Sequence, residues 1–188
     1  EIEYHDHVSP TIWVKFPVTG ATDDHPDDLL SFRTSTPSVV IWTTTPWTIP
    51  ANRAISYGPD IAYGLYEVTA MEEGLEFEPW AKPGDRLILA DNLAEEVFKA
   101  AKIARWTRID ALNPSGLECA HPLAPLSSGY GFSVPLLAGD HVTDDAGTGF
   151  VHTAPGHGAD DFEVWKAHGH HEVPDTVDPD GAYYPHVP

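Results

Sequence analysis

The stretch Pro37-Ser-Val-Val-Ile-Trp-Thr-Thr-Thr-Pro46 decides the fold. From Ser38 to Thr44 it is dominated by β-branched and aromatic residues, which suit a pleated surface, and a proline bounds each side. It reads as a short strand. Working outward, Thr11 to Val18 places Ile12, Val14 and Phe16 on one face. Ala62 to Thr69 alternates around Tyr63, Leu65, Tyr66 and Val68, Arg86 to Ala90 follows a Pro83-Gly84-Asp85 turn, and Phe150 to Thr153 follows Gly147-Thr148-Gly149. With 15 Gly and 18 Pro, the chain is cut into short segments. The expected class is mainly β with helices (α+β), a β-barrel-like domain.

One helix is predicted from Asp91 or Asn92, with Glu95 completing a capping box. Leu93, Val97, Ala101 and Ala104 recur at helical spacing, Glu95 and Lys99 form an i,i+4 pair, and the other face carries Lys99, Lys102, Arg105 and Arg108. A second short helix is expected from Asp160 to about Ala167. Ala21 to Asp28 reads as a solvated acidic loop. Residues 1–188 are read as a single domain, with 1–18 and 173–188 as connecting segments at its ends.

The 188 residues hold 41% hydrophobic side chains, enough for a core, so wholesale disorder is excluded. Ten Lys and Arg oppose 29 Asp and Glu, a formal charge of −19. Such a field excludes a broad electrostatic grip on nucleic acid but not a contact to one chain end. The single cysteine, Cys119, excludes a disulfide framework and a multi-Cys zinc site, and fits a reducing compartment. No apolar run is long enough for a membrane span. The chain starts at Glu1 with no basic-then-apolar leader, and is expected to be a piece of a longer protein.

Two constellations could carry chemistry. In Trp42-Thr43-Thr44-Thr45-Pro46-Trp47-Thr48, three consecutive hydroxyls cannot all face one side of a strand. They are either a strand end over a packed aromatic pair or a hydroxyl-lined cleft that orients an ester, a sugar hydroxyl or a water. In the run Gly147 to Asp161, GTGFVHTAPGHGADD, His152 ends a strand beside a Gly/Pro-rich loop. Asp160 and Asp161 then open a helix, either complementing its N-terminus or aiming a carboxylate at a substrate ammonium. Eleven histidines invite a metal, with His5 and His7, His168, His170 and His171, or His152 with His157 as candidates. None matches a spaced ligand signature. There is no Gly-x-Ser-x-Gly elbow and no phosphate-binding glycine loop, so if the chain is an enzyme an activated water is the expected attacker. The basic stripe is a solvated helix face or the one local patch for a phosphate backbone.

Trp42 to Asn52, WTTTPWTIPAN, resembles the threonine-rich peptide of the editing domain in class I isoleucyl-, valyl- and leucyl-tRNA synthetases. GTGFVHTAPGHGADD resembles the second editing motif, and its histidine and APGHG loop are similar to the bacterial-type isoleucyl branch. Weaker similarity covers nearly the whole chain. The synthetic-site signatures His-x-Gly-His and Lys-Met-Ser-Lys-Ser are absent. The resemblance therefore implies the inserted (CP1-type) editing domain alone, excised from a longer synthetase. It implies hydrolysis of mischarged valyl-tRNA(Ile), with the tRNA 3′ end carrying valine and the rest of the synthetase as partners, in the cytoplasm. No cofactor or metal is implied for this domain; ATP, Mg and Zn belong to the rest of the enzyme. A hydrophobic pocket separates isoleucine from valine by only ~1–3 kcal/mol, a limit for which this family is itself the standard example.

By resemblance, Thr43, Thr44 and Thr45 contact the terminal adenosine and the ester and help place the water. Trp47, Thr48 and His152 shape the side-chain pocket. Asp161, nine residues after His152, matches the acid that holds the substrate ammonium. The rival readings are a His-rich, metal-dependent β-barrel hydrolase and a non-catalytic interaction module.

Overall fold

A computed structural model of the chain describes residues 9–22, 25 and 35–188. Among these residues nine strands and two α-helices follow in order: β1 Ile12–Gly20, β2 Ser38–Thr43, β3 Ala54–Tyr57, β4 Tyr63–Met71, β5 Arg86–Ala90, α1 Ala94–Ala100, β6 Ile103–Leu112, β7 Glu118–Ala120, β8 Ser133–Ala138, β9 Phe150–Thr153 and α2 Ala159–Ala167. The strands form one mixed sheet in the order β6-β4-β5-β2-β1-β7-β8-β3-β9. The sheet is open rather than closed by hydrogen bonds. It is curled, because Val39 and Ile41 of β2 share one buried cluster with Ile55 of β3 and Phe150 of β9. That curl is the barrel-like character expected for a mainly β chain.

The decisive stretch is a central strand. β2 pairs antiparallel with β1, from Ile12 opposite Thr43 to Pro17 opposite Ser38, and parallel with β5. Being covered on both faces, it reads as a continuous apolar run, with Val39, Val40 and Ile41 fully buried. Val39 and Ile41 point to the larger core. Val40 points to a second cluster with Leu87, Leu89, Val97 and Phe98, which seats α1 on the sheet.

The expected helix from Asn92 stops early. Lys102 takes φ 61, the only positive φ at a non-glycine among the described residues, and turns the chain into β6. The reason is tertiary: Trp106 packs on Phe98 at 4.7 Å between ring centroids, and Ile103 to Leu112 pairs along β4. The capping box does not form either. Asn92 donates to Asp144, and the residue before α1 makes no side-chain cap. The basic helix face is thereby dismantled. Arg105 and Arg108 lie on a strand, and Arg108 is spent on both oxygens of Asp91. Strands β3, β7 and β8 were not legible as such. β3 is buried along its whole length, so it lacks the alternation that marks a half-buried strand.

The functional motifs meet where β2 ends and β9 runs beside β3. β9 pairs antiparallel with β3, with His152 opposite Ile55. Gly149, just before β9, has φ 78, and a Cβ there would lie 2.3 Å from the Ala90 Cβ. Only glycine allows that approach. Thr148 beside it accepts a hydrogen bond from the Ala90 amide at 2.9 Å. This pair of contacts sets the depth of the second motif against the end of β5.

Candidate active site

After Thr43 the chain leaves β2, passes Thr44 and Thr45, and winds into a 3₁₀ turn, Pro46–Ala51. The turn begins at a proline, whose fixed φ suits the first position. It ends at Asn52, whose amide returns to the Ile49 carbonyl. His121 fastens the turn from beneath by donating Nε2–H to the Ile49 carbonyl at 3.0 Å while its Nδ1 accepts from the Leu123 amide. Burial pushes the His121 pKa down to about 4, so this ring is neutral, stacked on Tyr130 at 4.6 Å.

The two motifs face each other across a cleft of about 560 Å³. Thr43, Thr44, Thr45, Trp47, Thr48, His152 and Asp161 all line it. All seven residues expected from sequence are therefore brought together. Asp160, the alternative acid, does not line the cleft and points to solvent.

A chain of hydrogen bonds runs along one side. The Thr45 amide donates to Thr43 Oγ1 at 3.1 Å, and the Thr43 and Thr45 hydroxyls lie 3.2 Å apart. Thr48 Oγ1 donates to the Thr45 carbonyl at 2.9 Å and lies 2.7 Å from His152 Nε2. Since the hydroxyl proton is used on the carbonyl, Thr48 accepts from His152, and the proton sits on Nε2. His152 Nδ1 then accepts from Asn52 Nδ2 at 2.9 Å, and the same amide group donates to the Ala54 carbonyl at 2.8 Å. His152 is thus a single tautomer with both nitrogens occupied. Burial, and then the nearby His121 and His157, push its pKa down to about 4. It is a neutral wall and not a base.

Asn52 lies inside the run WTTTPWTIPAN with no task assigned by the resemblance, and the structure sets its amide against His152. Only the fold shows it: Asn52 is fully buried, and a buried amide spends its donors on specific partners, here His152 and the Ala54 carbonyl.

Asp161 sits in the first turn of α2. Its Oδ2 accepts from the Ala154 amide at 2.8 Å, and Oδ1 has no partner among the described residues. Burial raises its pKa above the usual carboxylate range, opposed by the Ala154 amide and by His141 and His157. A carboxylate that is half-desolvated and half-bonded gains by meeting a cation. Thr44 is exposed, and its hydroxyl has no partner among the described residues. Trp47 is 48% exposed at the rim, and its carbonyl accepts from the Tyr183 hydroxyl at 2.8 Å.

The other candidates go elsewhere. Among the described residues no three His, Cys, Asp or Glu side chains are grouped as a metal requires; His5 and His7 lie outside the described residues. His168 Nδ1 bonds the Val164 carbonyl at the end of α2, and His170 stacks on Trp165 at 3.8 Å. Cys119 is fully buried, and burial pushes its thiol pKa up, which removes it as a nucleophile. Among the described residues no helix is long and apolar enough to cross a membrane.

No protein-family model matches the chain. An isoleucine–tRNA ligase of Caulobacter vibrioides is 71% identical over 187 residues, covering 100% of this chain and 18% of that enzyme. One of Bradyrhizobium diazoefficiens is 52% identical over 199 residues, with 100% and 19% covered. The chain thus spans under a fifth of the length of these relatives. The cytosolic leucyl-tRNA synthetase editing domain of P. knowlesi superimposes with a TM-score of 0.60 at 10% identity, covering 96% of this chain and 77% of that one. At that identity the likeness speaks for the fold.

Proposed function

We propose that the chain, similar over its whole length to isoleucine–tRNA ligases and in fold to synthetase editing domains, is an editing segment of that family and hydrolyses valyl-tRNA(Ile), working in the cytoplasm within the longer synthetase. The observation that carries this reading is one cleft holding the Asp161 carboxyl group, with one oxygen uncommitted, and an exposed threonine hydroxyl opposite a neutral, fully bonded histidine.

An aminoacyl ester presents an ammonium, a small side chain, an ester carbonyl and a ribose. Asp161 Oδ1 takes the ammonium, a charge-assisted contact that fixes the amino acid end. His152, Thr48 and Trp47 then bound the side chain. A neutral His152 matters here, because an imidazolium would repel the ammonium and compete for Asp161. Thr43, Thr44 and Thr45 face the ribose and ester, with Thr44 free to orient the attacking water. With its pKa held down to about 4 by burial, His152 is not the base, and the reading calls on no protein side chain to take the proton. The ester is itself activated, so positioning and hydrogen bonding carry the rate.

The test is deacylation of valyl-tRNA(Ile) and isoleucyl-tRNA(Ile) by the full-length synthetase containing this segment. The proposal expects rapid loss of valine, retention of isoleucine, and no effect of a chelator on hydrolysis. Equal rates for both esters, or loss of hydrolysis on chelation with recovery on added zinc, would overturn it.

A further inference from the structure

We propose that Trp13 with Trp42 forms a stacking platform for the nucleotide base that precedes the terminal adenosine of the tRNA 3′ end, an inference that rests on the cleft being the aminoacyl-ester site. Trp42 lines the cleft beside the threonines. Trp13 lies directly opposite it in the β1–β2 pair. Residues opposite each other in an antiparallel pair share one face, and the two rings are 6.4 Å apart with a 42° tilt.

Trp42 is held in place from the loop side. A Cβ on Gly147 would lie 3.4 Å from Trp42 Cε3, so the second motif's backbone packs against that ring. Among the described residues Trp13 has no such cover, and it is 36% exposed. An indole at that exposure next to a ligand cleft is apolar surface awaiting a planar partner.

The occupant follows from size, continuity and charge. A cleft of about 560 Å³ is the scale of a single small-molecule ligand. It takes the aminoacyl-adenosine, and the rest of a polynucleotide must leave over the rim, where Trp13 extends the face of Trp42. At −19 the chain gains little from phosphates. Stacking is the grip on a single strand that does not depend on positive charge, since every base has a π-face. The acidic surface and an aromatic rim are consistent with each other for that reason.

Trp13 also borders a hollow with Trp80 and Ala101, so a purely packing role is the alternative. The experiment uses the full-length synthetase and two substrates, valyl-tRNA(Ile) and 3′-valyl-adenosine. Trp13→Ala should raise KM for the tRNA about tenfold, keep kcat, and leave 3′-valyl-adenosine unaffected. Trp13→Tyr should restore most of the loss. An unchanged KM for the tRNA, or an equal loss on both substrates, overturns the platform. A second measurement needs no hydrolysis: the trinucleotide CCA should quench tryptophan fluorescence in a phase that adenosine does not produce and that Trp13→Ala removes. If that phase appears but neither ester is hydrolysed by the unaltered enzyme, the platform stands and the hydrolytic reading fails. If it is absent, the platform fails whatever the hydrolysis shows.

Discussion

Thr48 Oγ1 and His152 Nε2 lie 2.7 Å apart although 104 residues separate them in the chain. This bond locks the first motif to the second and makes a rigid wall from a β-branched side chain and a planar ring. A wall of that kind sets what size of side chain enters. Overfilling a packed site by one methylene costs ~1–3 kcal/mol, one to two decades in rate if the misfit persists in the transition state. His152→Ala should therefore gain hydrolysis of isoleucyl-tRNA, moving the ratio of the two deacylation rates by about tenfold or more. Equal loss on both esters would place the filter elsewhere.

Asn52 fixes the tautomer of His152. Its amide donates to Nδ1, which requires a bare Nδ1. In Asn52→Asp the new side chain has no N–H and must accept, so Nδ1 gains a proton while Nε2 keeps its own toward Thr48. The pKa of His152, held at about 4 by burial, should rise sharply, and valyl-tRNA hydrolysis should fall as the ring becomes cationic beside the ammonium. A histidine NMR titration reads this directly, and an unmoved His152 resonance would contradict it.

Asp161, not Asp160, should anchor the substrate. Asp161→Asn keeps an acceptor for the Ala154 amide and removes the charge, so the local fold survives while KM for valyl-tRNA rises by a hundredfold or more, about 3 kcal/mol for a charged contact. Asp160→Asn should retain editing within about twofold, as a solvated residue outside the cleft. The pKa of Asp161 is raised by burial, so KM should also climb on acidification at a higher pH than an exposed aspartate would give. The reverse ranking of the two variants would refute the register.

Stability should fall with acid through the buried histidines. His121 and His152 both have folded pKa values near 4, set first by burial, against about 6.5 unfolded. The unfolded chain then binds more protons between those values. The stabilising difference is fully present above about pH 6.5 and is lost as pH falls through about 4, on the order of 3 kcal/mol per histidine. Thermal midpoints measured from pH 7 to 4 should drop steeply, and less steeply in His121→Gln. A flat profile would mean that these rings are hydrated in solution.

Gly149→Ala should destabilise the domain by more than about 2 kcal/mol. Its φ of 78 is unfavourable for alanine, and the added methyl would press on Ala90. Because β9 carries His152, editing should be lost along with stability. Denaturant unfolding with a midpoint unchanged from the parent would sink this account.

The strands that could be read from sequence are those with a clear boundary or alternation. Ser38 to Thr43 lies between prolines, Arg86 to Ala90 follows a Pro-Gly turn, and Phe150 to Thr153 follows Gly-Thr-Gly. The site residues are reached through the resemblance, which works because both motifs are contiguous: each spacing is fixed by local backbone, a strand running into a proline turn and a strand running into a helix start. β6 was misread, because Leu93, Val97, Ala101 and Ala104 satisfy helical spacing, and nothing local announces that Lys102 will adopt a positive φ. Pairing with β4 and the Trp106–Phe98 contact decide that, and both are long-range.

By itself, then, the sequence determined the composition of the cleft: three hydroxyls before a proline, a histidine after a glycine turn, and an acid nine residues on. Only the tertiary structure decided what those groups are chemically. The tautomer and neutrality of His152 come from Asn52 and Thr48, 100 and 104 residues away, and from its burial among β-strands. The raised pKa of Asp161 likewise comes from its desolvation in the folded cleft. A residue's identity is local, but its protonation state depends on the dielectric and hydrogen-bond partners around it, and these exist only once distant segments have packed.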